Sequence, residues 1–120
     1  MADAGVKLSA QEKVAKARAA YGAINRGEAG GDFTDDAVWH SMNFGEVKGV
    51  QAIKAAQRRQ GEMFDSLHLD VHDILISDAH VVSLMTLKTN KGGQPAEQKL
   101  VQVAHVTDDG KVKELWTLAG

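Results

Sequence analysis

Apolar residues recur at helical spacing in two stretches of this chain and at strand spacing in most of the rest. Val14, Ala17, Tyr21 and Ile24 stand three or four apart, with Lys13, Lys16, Arg18 and Arg26 mostly off that stripe, which predicts an amphipathic helix. Ser9-Ala-Gln-Glu12 has capping-box form, in which the serine oxygen and the glutamate side chain satisfy free amide donors at a helix start. The run stops at Gly27, and Ala15, Ala17, Ala19, Ala20 and Ala23 keep the helix slim enough to lie close to a curved sheet. Residues 27–36, with Gly27, Gly30 and Gly31, read as a loop holding at most one short helical turn. Ala37 to Ser41 reads as a short strand and Met42 to Gly49 as a loop. Val50, Ile53, Ala56, Gln60 and Phe64 then predict a second helix through about residue 64, with Lys54, Arg58, Arg59 and Glu62 as its solvated face.

From Leu67 the period becomes two, Leu67, Leu69 and Val71 alternating with His68, Asp70 and His72. Ile74-Leu75-Ile76 breaks the alternation and indicates burial on both sides or a bulge. A turn at residues 77–79, a strand from His80 to Thr89 and a loop from Asn90 to Pro95 follow. Gln98 to Leu118 reads as a hairpin about Asp109-Gly110, a dipeptide suited to a two-residue turn. That turn pairs Asp108 with Lys111, His105 with Glu114, Val103 with Trp116 and Gln102 with Thr117. One face of the hairpin then carries Val101, Val103, Trp116 and Leu118, with His105 and Glu114 near the turn. The other carries Leu100, Gln102, Ala104, Val106, Leu115 and Thr117. Both are largely apolar, so something covers each side. The order of helix, short strand, helix and four-strand meander predicts an α+β fold in one domain, residues 1–120, with 1–8 a flexible start.

At 120 residues a single domain buries roughly two-thirds of the surface its unfolded chain exposes. Charge is balanced, with 14 Lys and Arg against 16 Asp and Glu, so there is no basic field for nucleic acid or anionic membrane. Aromatics at 5% leave little for base stacking. Without cysteine there is no disulfide, thiolate site or cysteine nucleophile, which suits a cytoplasmic protein. No apolar run reaches membrane-spanning length. His68 and His72 stand four apart on a strand, roughly 13 Å, too far to share one ion with Asp70, so no metal is expected. His80 reads as a solvent-facing turn residue. Phosphate loops, serine elbows and HExxH motifs are absent from the sequence.

Several stretches carry a resemblance. Tyr21-Gly-Ala-Ile-Asn-Arg-Gly-Glu28, Asp35-Asp-Ala-Val-Trp-His40, Gly49-Val-Gln-Ala-Ile53, Asp78-Ala-His-Val-Val-Ser-Leu84 and Asp109-Gly-Lys-Val-Lys-Glu-Leu-Trp116 occur in this order. Together they resemble the SnoaL-like branch of the nuclear transport factor 2-like superfamily, which also holds ketosteroid isomerases, polyketide cyclases and limonene epoxide hydrolases. The resemblance implies a cone: a curved, mostly antiparallel sheet wrapped around the N-terminal helix, with a pocket inside and a dimer partner on the outer face. It covers most of the chain but is not specific for function, because this superfamily spans enzymes, carriers and interaction modules. Residues 27–35 are shorter than the family's second helix, which implies a thinner wall or wider mouth. Ser41 aligns with the catalytic aspartate of the ketosteroid isomerases, Gln102 with their buried hydrogen-bonding acid, and Ala20 with their helix-one tyrosine, one position from Tyr21. Ketosteroid isomerase activity is therefore not expected, and the Asp-Arg-Asp set of the epoxide hydrolases has no counterpart.

What the resemblance implies for the site is a small-molecule pocket acting without cofactor on a hydrophobic carbonyl or polyketide-like substrate. Its acid-base candidates are His40, Tyr21 and Gln102, and its wall candidates are Trp39, Ser41, Phe64, Ala104, Leu115 and Thr117. Alternation separates Trp39 from His40: if Trp39 and Ser41 face in, His40 faces out unless the strand bulges, and is then a hydrogen-bonded edge histidine rather than a general base. Gln102 either donates to a ligand carbonyl or bonds Thr117 or Tyr21; Tyr21 either serves a ligand or is a core aromatic with a wet tip. The alternatives to an enzyme are a non-catalytic pocket for an apolar ligand and a dimerising interaction module. A homodimer is expected through the Val101, Val103, Trp116 and Leu118 face.

Overall fold

The computed structural model describes residues 7–119. Of the expected flexible start, residues 1–6 lie outside that range, while Leu8 donates its backbone N–H to the Asp108 carbonyl at 2.8 Å. Helix α1 (Ala10–Asn25) begins with the capping box: Ser9 Oγ accepts from the Glu12 N–H, and Glu12 accepts from the Ser9 N–H. Strands β1 (Phe33–His40) and β2 (Glu46–Lys48), helix α2 (Val50–Glu62) and strands β3 (Ser66–Ile76), β4 (His80–Lys91), β5 (Gln94–Val106) and β6 (Val112–Ala119) follow. The six strands form one open sheet in the order β2-β1-β6-β5-β4-β3, antiparallel except for the parallel pair β1 and β6. The fold is α+β.

Both helices cover the same sheet face. α1 sets Tyr21 against Leu69, Met85, Leu87 and Leu100, while α2 sets Ile53 and Ala56 against Phe33, Ala37, Trp39 and Leu115. The helix stripe differs from the expected one at its first position. Lys13 is buried and Val14 is only half-buried, because Lys13, Ala17, Tyr21 and Ile24 follow a truer helical row than a row begun at Val14.

The meander matches the predicted strands, with its irregularities at other residues. The bulge in β3 falls at His72, between the Val71↔Met85 and Asp73↔Leu84 pairs. It changes the inward parity from Leu67, Leu69 and Val71 to Ile74 and Ile76, which accounts for the broken alternation. The final turn is not the two-residue loop expected: Gly110 N–H bonds the Thr107 carbonyl, Thr107 N–H bonds the Lys111 carbonyl, and Gly110 takes φ +81°. Lys113 is then an extra residue between the Val106↔Val112 and His105↔Glu114 pairs, a bulge that restores the predicted register. Val103 faces Trp116 and Gln102 faces Thr117 as expected.

Strands run further than the sequence indicated. β1 starts at Phe33 instead of Ala37, and β2, only three residues long, lies in the expected loop. β4 and β5 continue to Lys91 and Gln94 about a Gly92-Gly93 turn. Pro95 is accommodated because β6 pairs with β5 only from Leu100 onward, so no neighbour on that side needs its missing N–H.

Candidate functional site

Between the two cores lies a cavity of about 520 Å³, a size usual for small-molecule sites. Its walls are mainly apolar, with Leu69, Leu87 and Leu100 from the α1 side and Phe33, Trp39 and Leu115 from the α2 side. Across its middle runs a row of uncharged polar groups. The Trp39 indole N–H donates to Thr117 Oγ1 at 3.0 Å, and Gln102 Nε2 donates to the same oxygen at 3.0 Å. Gln102 Oε1 lies 3.1 Å from the Tyr21 hydroxyl, which is 2.8 Å from Ser83 Oγ. These side chains bring two polar hydrogens on Gln102 and one on each of the others, more than four contacts consume. Donors are left over with no acceptor among the described residues. Burial pushes the Tyr21 phenol above its ordinary value, with the Ser83 hydrogen bond partly opposing that shift, so Tyr21 stays protonated and able to donate.

One rim is built from the loop before β1. Lys16 Nζ pairs with Asp32 at 2.7 Å, and Gln57 of α2 clamps Gly30 through both its backbone N–H (3.1 Å) and its carbonyl (2.9 Å). Glycine is required there, since a Cβ on Gly30 would stand 2.2 Å from the Ala20 carbonyl oxygen.

Of the residues singled out from sequence, Tyr21, Trp39, Gln102, Ala104, Leu115 and Thr117 line this cavity. His40, Ser41 and Phe64 do not. Ser41 Oγ accepts the Phe44 N–H at 2.9 Å and donates to the Gly45 carbonyl at 2.8 Å, which closes the β1–β2 turn. Phe64 is half-buried beyond the end of α2. His40 follows Trp39 by one residue and so projects to the other side of the sheet. There its Nε2 meets Glu114 at 2.6 Å, its Nδ1 lies 3.6 Å from Glu46, and its ring stacks on Trp116 at 5.4 Å. His105 faces Glu114 in register but stacks on His80, 4.9 Å between ring centroids, so His80 is exposed yet has a partner. His72 bonds Thr86 at 2.6 Å. Sequence reasoning missed Ser83, the buried partner of Tyr21 behind the cavity wall, and Lys13, which lines it. The inward parity Val81, Ser83, Met85 and Leu87 was available for the first; for the second, the helical row of Lys13, Ala17, Tyr21 and Ile24 was the signal.

Among the described residues no helix is long and apolar enough to cross a membrane. The fold matches many solved structures. Bal32a from a soil-derived mobile gene cassette superposes with TM-score 0.78 at 23% identity, over 92% of this chain and 90% of that one. A candidate SnoaL-like polyketide cyclase from Jannaschia sp. CCS1 gives 0.77 at 16% identity, over 99% and 90%. SalBIII, an epoxide hydrolase/cyclase-like enzyme of pyran ring formation in the polyether salinomycin, gives 0.75 at 13% identity, over 92% of each chain. At these identities the likeness establishes the fold. No protein of curated function matches the sequence significantly. A family model for the SnoaL-like domain, by contrast, matches residues 15–115, a span holding most of the cavity wall and all of its polar row except Thr117, and the chain belongs to that family.

Proposed function

We propose that this protein takes a hydrophobic carbonyl compound of the polyketide type into the cavity and holds its oxygen on the Tyr21, Gln102 and Thr117 row. The observation that carries this reading is the surplus of uncharged donors inside an apolar cavity of about 520 Å³. Such donors match a neutral acceptor oxygen, and apolar walls match the carbon skeleton around it. The reaction they serve is a cofactor-independent isomerisation or cyclisation, in which hydrogen bonds stabilise negative charge developing on that oxygen. The cyclase assignments of related structures support this class.

A specific observation favours a second reading, a non-catalytic pocket: the polar row itself holds no carboxylate or imidazole, and His40 lies on the opposite side of the sheet. Melting shifts against aromatic polyketides, steroids, terpenoid epoxides and aldehydes test binding, since a ligand at a hundred times its dissociation constant adds about 2.7 kcal/mol. Tyr21→Phe then separates the readings. An enzyme loses turnover far beyond its loss of affinity, whereas a carrier shows only the affinity change. A cooperative melt that no compound moves overturns both.

A homodimer through the outer face is part of the proposal. Val101, Val103, Trp116 and Leu118 form its row, continued by Leu84 and Leu75, and Leu118, Leu84 and Leu75 are 55%, 37% and 52% exposed. Sedimentation equilibrium at micromolar protein is expected to give twice the chain mass, and Leu118→Glu to halve it; a monomeric wild type sinks this assembly.

A further inference from the structure

Lys13 occupies the first position of the buried row that continues through Ala17, Tyr21 and Ile24. Only 6% of its surface is exposed, and it lines the cavity. Its Nζ makes one hydrogen bond, to the Asp78 backbone carbonyl at 3.0 Å. An ammonium has three donors, so two remain. No carboxylate among the described residues lies within ion-pair distance of it. Lys16, one turn on, differs: Asp32 neutralises it at 2.7 Å.

Burying a cation without a counter-charge is unfavourable, and this one also sits in the first turn of α1, where the aligned peptide dipoles already present positive potential. Both effects oppose a lysine and both favour an anion. A leucine or methionine would complete the row at no such cost.

We infer that Lys13 is an anion anchor at one end of the cavity, so that the ligand is a hydrophobic carboxylate or equally acidic enol, its charged end on Lys13 and its neutral oxygen on the Tyr21 row. The inference rests on the pocket reading above and sharpens its substrate class. Lys13 and Tyr21 stand eight positions apart on α1, about 12 Å along the helix axis. The ligand is therefore elongated, with its two recognised oxygens at opposite ends of an apolar body. Lys13 is a binding residue; the reacting centre lies at the Tyr21 row.

The test uses naphthoate and its methyl ester, which share a skeleton and differ in charge, each titrated by displacement of the fluorescent probe N-phenylnaphthylamine. Wild type is expected to bind the acid about tenfold more tightly than the ester, equivalent to about 1.4 kcal/mol. Lys13→Met is expected to erase that ratio while holding the ester's affinity within about twofold, and Lys13→Arg to keep it. A purely structural lysine, holding the β3–β4 turn through Asp78, lowers the melting temperature on Lys13→Met and leaves the ratio unchanged, which overturns the inference. If Lys13→Met does not fold, the wild-type ratio still decides: acid and ester bound equally reject the anchor and leave the pocket reading standing. Failure of the probe and both naphthalenes to bind removes the pocket reading and the anchor together.

Discussion

Strands β1, β5 and β6 present Trp39, Gln102 and Thr117 to the cavity and, one residue further on, His40, Val103 and Leu118 to the other side. The inward set is uncharged, buried or half-buried and hydrogen-bonded within itself. The outward set is partly exposed and gathers the titratable groups, with His40 between Glu114 and Glu46 and His80 stacked on His105. None of the five histidines lines the cavity. Along these strands period two has sorted neutral donors from charged groups; of the charged residues that do line the cavity, Lys13 and Lys16 come from α1 and Asp32 from the loop before β1.

The largest expected effect falls on the inner face. Trp39 is 4% exposed and ties β1 to β6 through Thr117, so Trp39→Ala should destabilise by about 3–5 kcal/mol in urea titration and abolish ligand-induced melting shifts. A loss under about 1 kcal/mol would mean the indole is not a cavity wall. Gly30→Ala comes next: forcing a Cβ against the Ala20 carbonyl must displace the rim loop, with an expected loss of roughly 1–3 kcal/mol. Unchanged stability would show that the loop gives way freely.

Tyr21→Phe takes the phenol away from Ser83 Oγ and Gln102 Oε1 and should lose about 1–2 kcal/mol. Its pH signature has a definite sign. The folded phenol titrates above its ordinary value of 10.0. Its contribution is therefore fully present below pH 10 and is lost as pH rises through the higher folded value. The alkaline limb of wild-type stability should flatten in Tyr21→Phe; an identical limb in both proteins would place another group behind it. The smallest effect belongs outside. His40→Ala breaks a pair about one-third exposed on each side and should lose at most about 1 kcal/mol, leaving pocket affinity unchanged. A change in affinity would break the separation of the two faces.

Much of this division was legible in the residues. The alternation of β5 and β6 assigned Gln102, Ala104, Leu115 and Thr117 to one side and Val103 and Trp116 to the other. The register survived a wrong turn type because the Lys113 bulge compensates for the longer loop. Trp39 and Tyr21 followed from their spacing and from the resemblance. His40, Ser41 and Phe64 were less legible, since a short strand end does not announce its parity and a helix end does not announce where it stops. β2 was invisible because three residues carry no period.

By itself, then, the sequence determined the periodicities, the capped start of α1, the two chemically different faces of the last hairpin and, through its ordered motifs, the fold family. Each of these is local, carried by residues within a few positions of one another. Only the tertiary structure decided which polar atoms meet. Tyr21 reaches Ser83 and Gln102 across 62 and 81 residues, Trp39 reaches Thr117 across 78, and Lys13 finds a single carbonyl 65 residues away. Those distances are closed by the packing of α1 and α2 on one face of the sheet. No pattern along the chain encodes how far apart two helices settle, or that the space left between them is a cavity.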